Sequence, residues 1–439
     1  AAGSSGALTA AGFSGCWAAS AAPGSSSSSS SSGAPKSQLR PRRRFGFSAG
    51  ISSGSSGRSA GAASGSGAGS VGDFEADSEA KNESVTAGAS GVMAAMSGGV
   101  DSSVCALLLQ EAGYAVRGAT MVLRDDQEST CGSSRDVEDA RAVCQRLGIP
   151  HDAFDLRDRF DAAVVRPFCD AYLEGRTPNP CIACNRFLKF ESLQQRRREL
   201  GFDYVATGHY ARRRWDAATG RWQLLRACDP AKDQSYVLYH LTQDTLAHML
   251  FPLGELTKGE VRELARARGF VTAAKPESQD ICFVPDGDYA RFIEGRCGAD
   301  TAFNPGEIVD REGRVLGGHA GLIRYTIGQR KGLGIAAREP LYVLAKDTAA
   351  NRLIVGFKDE LLSVGVVASD MNFISGDVWQ GPREVLVKTH YRQHPVPAVA
   401  EQTGVDELTV AFDEPQRAAA PGQAAVLYEG DIVLGGGTI

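Results

Sequence analysis

Two cysteines three residues apart, Cys181 and Cys184 in "RTPNPCIACNRFLKF" (176–190), are followed 98 residues after Cys184 by a third, Cys282 in "PESQDICFVPDGDY". Thiols so spaced could hold a metal, form a disulfide or act as nucleophiles. A tetrahedral zinc site wants a second close ligand pair, and neither CxxC nor HxxxH follows near Cys282. A thioredoxin-like pair opens a helix straight after a strand, whereas a proline-bearing loop precedes Cys181. What remains is sulfur atoms from distant loops meeting for chemistry. Cys105, Cys144 and Cys169 fall in helical apolar patterns and read as buried core thiols.

A second constellation is "SGGVDSS" (97–103). Gly98 and Gly99 let the backbone approach an anion, and Ser97, Asp101 and Ser102 add polar contacts. A glycine-rich turn that opens a helix offers unsatisfied N–H groups and the positive end of the helix dipole to a phosphate. The loop lacks the lysine of a Walker loop and the spacing of GxGxxG.

The elements that must position these residues follow from periodicity. Residues 91–96 read as a short buried strand, 103–110 as a helix ending near Gly113, and 116–123 as a second strand, which is a βαβ unit. Over 133–150, a serine followed by acids and then Gly148 and Pro150 predict a capped helix. "FDYVATGHYARRR" (202–214) reads as another buried strand, with Gly208 and His209 where ligands gather beyond the carboxyl ends of parallel strands. From 296 onward short strands alternate with turns, and from Gly365 segments such as "EVLVKTHYR" and "QAAVLYE" read as barrel strands.

At 439 residues, the chain is long enough for two or three domains. No run of about 18 apolar residues could cross a membrane. The first 72 residues are dominated by Ala, Gly and Ser and contain no Asp or Glu. Such a segment cannot bury enough apolar surface to fold, and its arginines and serines predict an organellar transit peptide, for plastid or mitochondrion. Ten cysteines in the reducing surroundings this implies are no disulfide scaffold. The leader carries six of the basic residues, so of the net −5 the remainder holds −11. A nucleic-acid partner must therefore meet a local basic patch; "QRRREL" (195–200) and "YARRRW" (210–215) are candidates, each more simply a solvated face.

The SGGVDSS string resembles the pyrophosphatase loop of the ATP pyrophosphatases, which activate a substrate oxygen by adenylation. "MSGGVDSSV", "RTPNPCIACNRFLKF", "ATGHYAR", "KDQSYVLYHL", "ESQDICFV", "YTIGQRKGLGI", "YRQHP" and "PGQAAVLYEGDIVLGGGTI" together, from about residue 89 to the C-terminus, resemble the tRNA-specific 2-thiouridylase family in order and spacing. Beyond the leader (1–86), which lies outside it, the resemblance implies an α/β fold: a parallel-sheet ATP pyrophosphatase domain of the adenine nucleotide alpha hydrolase type (87–295), a small β-rich central domain (296–363) and a C-terminal β-barrel (364–439).

It implies ATP, with Mg2+, held by Ala95, Met96, Ser97, Gly98, Gly99, Val100, Asp101 and Ser102, by Met121 and by Gly208. ATP would adenylate the 2-carbonyl oxygen of the wobble uridine. A persulfide on Cys282, supplied by a cysteine desulfurase or relay protein, would then attack that carbon, with Cys184 assisting sulfur release and able to pair with Cys282 as a disulfide afterwards. Asn179, Pro180 and Cys181 would lie near the target base. His209, Lys232, Asp233 and Gln234, and in the barrel Tyr391, Arg392 and Gln423, would contact tRNA. Some members have an aspartate acting as general acid or base where this chain has Cys181. That departure keeps a second mechanism open, in which Cys181, Cys184 and Cys282 ligate a [4Fe–4S] cluster that binds sulfide.

Overall fold

The computed structural model describes residues 90–124, 132–276, 280–284, 286–298, 301–376 and 379–439, all within one unit that spans residues 80–439. The leader, with its targeting expectation, and Glu277, Ser278 and Gln279 of the Cys282 motif lie outside the described residues.

The front of the chain is a five-stranded parallel sheet. Strand β1 (Gly91–Ala95), almost wholly buried, pairs with β2 (Ala115–Val122) on one side and β4 (Tyr204–Ala206) on the other. With β3 (His151–Asp155) and β7 (Met249–Leu250) the order is β3-β2-β1-β4-β7. Helix α1 (Val100–Glu111) crosses from β1 to β2. Helix α2 (Ser134–Leu147) starts as its sequence predicts: Ser133 Oγ accepts from the Asp136 amide at 3.2 Å and Asp136 Oδ2 accepts from the Ser133 amide at 3.2 Å, a reciprocal cap.

The single strand expected over 202–214 is two strands in different sheets. The chain leaves the parallel sheet after Ala206, turns against α1, and resumes as β5 (Ala211–Asp216), which forms an antiparallel hairpin with β6 (Arg221–Arg226). The reason is contact: at Gly208 the backbone lies so close to the first turn of α1 that no strand could continue there with a side chain.

Four strands, β8 (Gly306–Val309), β9 (Val315–His319), β10 (Tyr342–Asp347) and β11 (Arg352–Gly356), make a middle sheet in the order β10-β11-β8-β9, packed on Ile308, Val343, Leu353 and Val355. The tail follows as β12 (Leu362–Phe373), β13 (Arg383–Lys388), β14 (Val396–Gly404), β15 (Glu407–Arg417), β16 (Ala424–Glu429) and β17 (Ile432–Thr438). Pairing of β12 with both β15 and β17 closes these six into an antiparallel barrel.

The barrel does not stand alone. Strand β17 also pairs with β6, through Ile432 with Leu225 and Val433 with Leu224, so the front hairpin extends the barrel wall. One apolar cluster joins the two, with Leu224, Tyr236 and Tyr239 from the front packing with Val426, Tyr428 and Val433 of the barrel. Each such side chain contributes about 1.5–3 kcal/mol by burial. The barrel and the parallel sheet are therefore fixed in relative position, which matters for the loop that carries the cysteines.

Candidate functional site

The turn after β1 is built to meet an anion. Gly98 has φ +65°, and a Cβ there would lie 2.5 Å from the Asp136 carbonyl oxygen, so only glycine fits. Ser102 Oγ accepts from the Ser97 amide at 3.1 Å and donates to the Gly99 carbonyl at 3.1 Å, which sets the curvature. The Met96 amide donates to the Ala119 carbonyl at 2.8 Å, which ties the start of the turn to β2. Gly99, the N-cap of α1, provides no side chain for the first amides of the helix, so Val100, Asp101 and Ser102 direct unsatisfied N–H groups into the turn. Ala95 ends β1, Met121 lies half-buried near the end of β2, and Gly208 closes the far side.

Three residues that sequence reasoning missed hold this loop. Lys258 Nζ contacts both Asp101 carboxylate oxygens, at 2.7 and 2.8 Å, and the Tyr210 hydroxyl donates to Asp101 Oδ1 at 2.8 Å. Lys275 Nζ donates to the Gly98 carbonyl at 3.0 Å, to Asp136 at 2.8 Å and to Asp139 at 2.7 Å. Burial opposes the Lys275 charge, but the hydrogen bonds and charges of Asp136 and Asp139 outweigh it and raise the pKa of the amine. Both lysines lie more than 150 residues from the loop in sequence, and no local pattern marks them.

The cysteine motif sits on a continuous helical run: Pro180–Ala183, then a wider i to i+5 winding over Cys184–Ser192, then Leu193–Leu200. Asn179 caps its start, Oδ1 accepting from the Cys181 amide at 3.1 Å, and Pro180 occupies the first turn, where a missing N–H costs nothing. The barrel anchors the approach to this helix. The Thr177 amide donates to the Pro421 carbonyl at 2.7 Å, and Gln423 Nε2 donates to the Thr177 carbonyl at 2.6 Å.

Cys184 is buried and Cys282 is half-buried, and both belong to one apolar cluster with Phe168, Tyr172, Leu188 and Phe283. Phe283, next to Cys282, meets the Phe168 ring edge-on at 5.1 Å and the Phe160 ring at 5.8 Å. The structure thus places in one apolar cluster two cysteines that the sequence separates. Cys181 is exposed and outside that cluster. Among the described residues no group of three or more His, Cys, Asp or Glu side chains is arranged to hold a metal.

Several residues expected at the RNA surface work inside the protein instead. His209 is 7% exposed, bonded to Thr207 Oγ1 at 2.8 Å and packed beside Phe190. Burial, and then the charge of Lys189, lower its pKa well below the ordinary histidine value. Asp233 is 7% exposed and accepts from the amides of Ala227 and Ser235, at 3.1 and 3.2 Å. Gln234 Oε1 accepts from the Tyr210 amide at 3.0 Å. His209 and Asp233, buried with internal partners, shape the loop that bears them and have little polar surface for a ligand, whereas Gln234 is half-buried. Lys232 is half-buried, whereas Tyr391 and Arg392 are exposed on the barrel.

Asn185, which the motif carries directly after Cys184, is 2% exposed and donates to the Val237 carbonyl at 3.1 Å. It fastens the cysteine helix to the "KDQSYVLYHL" segment.

Three family models match in order along the chain: "tRNA methyl transferase HUP domain" over residues 90–286, "tRNA methyl transferase PRC-barrel domain" over 292–357 and "Aminomethyltransferase beta-barrel domain" over 363–439. A protein of Carboxydothermus hydrogenoformans named tRNA-specific 2-thiouridylase MnmA is 50% identical over 359 residues, which cover 80% of this chain and 98% of that protein. A protein of the same name from Moorella thermoacetica is 50% identical over 353 residues, covering 79% and 98%. Among solved structures, the U34-tRNA thiolase NcsA of Methanococcus maripaludis with its [4Fe-4S] cluster is 17% identical at a TM-score of 0.29, over 47% of this chain and 67% of that one. So distant a likeness says nothing about a cluster here.

Proposed function

The chain belongs to the tRNA-specific 2-thiouridylase family, and from that membership and the site we propose that it exchanges the 2-oxygen of the tRNA wobble uridine for sulfur. The observation that carries the reading is the pair Cys184 and Cys282, gathered in one apolar cluster of a protein that also builds an anion-binding turn at the head of α1. The domain models are described by methyl transfer, but relatives aligned over nearly their whole length are named for thiolation, and thiolation is the chemistry that uses two thiols.

ATP, with Mg2+ as the counter-ion of its triphosphate, is the co-substrate. Its phosphates lie against the amides of Val100, Asp101 and Ser102. The uridine 2-oxygen attacks the α-phosphorus and pyrophosphate leaves. The terminal sulfur of a persulfide on Cys282 attacks C2 and AMP departs. Cys184 then attacks the inner sulfur of Cys282, which leaves sulfur on the base and a Cys184–Cys282 disulfide that a thiol reductant reopens. The persulfide comes from a sulfur-donor protein of the cysteine desulfurase or relay class. A persulfide suits the task because its terminal sulfur ionises readily and is strongly nucleophilic, whereas the carbonyl is inert until adenylated. The apolar wall of Phe168, Leu188 and Phe283 keeps water from the activated carbon.

The test is ATP-dependent 2-thiolation of unmodified tRNA by anaerobically purified protein, with Cys184→Ala, Cys282→Ala and Cys181→Ala alongside. The reading expects loss of activity in the first two variants and retention in the third. Full activity in either of the first two sinks it. Loss in all three, reversed by rebuilding an iron–sulfur cluster, would replace the persulfide by cluster chemistry.

A further inference from the structure

The basic runs conspicuous in the sequence are spent within the fold. Arg196 pairs with Glu199 at 2.8 Å, Arg197 donates to Gln194 and to the Phe202 carbonyl, and Arg212 pairs with Asp431 at 2.9 Å. Arg213 donates to the Leu246 carbonyl at 2.6 Å. In the middle sheet Arg314 pairs with Asp310 at 2.6 Å and Arg352 with Glu307 at 3.0 Å. Against this pattern Arg330 and Lys331 are adjacent and exposed, and among the described residues neither pairs with a carboxylate.

Their turn is rigid. The Gly328 amide donates to the Val343 carbonyl at 2.7 Å, and the Val343 amide returns a bond to Gln329 at 2.9 Å. Gln329 Oε1 accepts from the Thr326 amide at 3.0 Å while its Nε2 donates to the Lys331 carbonyl at 3.0 Å. Chain 330–341 then curves round a concavity of about 590 Å³. Two long cationic side chains on so pinned a base lose less freedom on binding than they would on a loose loop.

The turn also touches the barrel. Gly328 has φ +80°, and Arg417, the last residue of β15, lays its guanidinium over it and donates to its carbonyl. Burial, then the charges of Arg417 and Lys388, lower the pKa of His390. Arg417 thus joins the end of β15 to the middle-sheet turn, and on the same barrel the exposed Tyr391 and Arg392 follow His390. Arg392, too, has no carboxylate partner among the described residues.

We propose that Arg392, Arg417, Arg330 and Lys331 form a cationic track from the barrel to the middle sheet, which holds the phosphate backbone of the tRNA body outside the anticodon arm. Cations with no carboxylate partner among the described residues, on an otherwise acidic chain, attract a polyanion, and contacts to phosphate position the RNA without reading its sequence. The inference rests on the reading that tRNA is the substrate.

The experiment measures binding, by fluorescence anisotropy of full-length tRNA and of its isolated anticodon stem-loop, on the full chain and on Arg330→Gln/Lys331→Gln and Arg330→Glu/Lys331→Glu. For full-length tRNA the glutamine pair weakens binding about tenfold and flattens the slope of log K against log salt by about 1–2, and the glutamate pair weakens it further. Stem-loop binding stays within about twofold. Equal loss on both RNAs, no loss on either, or wild-type binding to tRNA no tighter than to the stem-loop overturns the track. A wild-type protein that binds tRNA in this pattern yet never thiolates it would refute the proposed function and leave the track standing.

Discussion

Replacing Gly208 by alanine puts a methyl carbon 2.9 Å from the Asp101 carbonyl carbon and 2.9 Å from the Ser102 amide nitrogen, with Asp101 Cβ at 3.2 Å. The two nearest atoms are backbone at the head of α1, and the helix cannot swing aside as a flexible side chain could. Reaching an ordinary contact near 3.4 Å requires a displacement of about 0.5 Å, and overpacking of this kind costs about 1–3 kcal/mol. The displaced group is the Ser102 amide, one of the donors assigned to the ATP phosphates. If about 1.4 kcal/mol of the strain falls on that contact, ATP binding weakens tenfold. The assay is Kd for ATP by calorimetry, beside a thermal unfolding curve, for Gly208→Ala and for a control. Gly295→Ala is that control: it lies within the helix Tyr289–Cys297 with no neighbouring atom within 4 Å of its would-be Cβ, and should gain about 0.5–1 kcal/mol in stability with ATP affinity unchanged. An ATP Kd that Gly208→Ala leaves at the wild-type value would refute the placement of the triphosphate against the first turn of α1.

The other predictions concern the supports of the site. Lys275→Met leaves Asp136, whose side chain is 3% exposed, without its ammonium partner. Because the lysine itself is 29% exposed, solvent discounts the loss to about 2–3 kcal/mol, readable by urea unfolding. The folded-state pKa of Lys275 is raised, so its contribution is whole below the unfolded value of about 10.4 and lost as pH rises through the folded one. The stability gap between wild type and Lys275→Met should therefore close only in strongly alkaline buffer, and a gap that closes near neutrality contradicts the ion pair. Gln423→Ala removes the bond to the Thr177 carbonyl, worth about 0.5–1.5 kcal/mol, and should speed tryptic cleavage after Arg176 without unfolding the barrel. His209 has a lowered pKa, so the stability it gives by staying neutral is present above about 6.5 and falls away as pH drops towards its folded value. Its ring carbon resonances should hold constant from pH 8 to 6, and a midpoint near 6.5 would mean that the ring is open to water.

Local rules wrote a good part of this into the sequence. A strand, a glycine turn and a helix in 91–111 need only near neighbours to form. The Ser133 cap bonds Asp136 three residues on, and Asn179 caps the cysteine helix two residues from its partner amide. Motif resemblance named the loop, the cysteines and the domain order, because those residues recur as contiguous strings. Tertiary packing decided the rest. It placed Cys184 and Cys282 in one apolar cluster, set Lys258 on Asp101 and Lys275 on Gly98, and broke the strand expected over 202–214 where Gly208 meets α1. It also buried His209 and Asp233, neutralised the basic run at 210–215 with an acid and a carbonyl far along the chain, and left Arg330 and Lys331 with no carboxylate partner among the described residues. The physical reason is separation: a cap or a turn closes within a few residues, whereas a lysine 157 positions from its aspartate finds it only once two layers of the fold have packed.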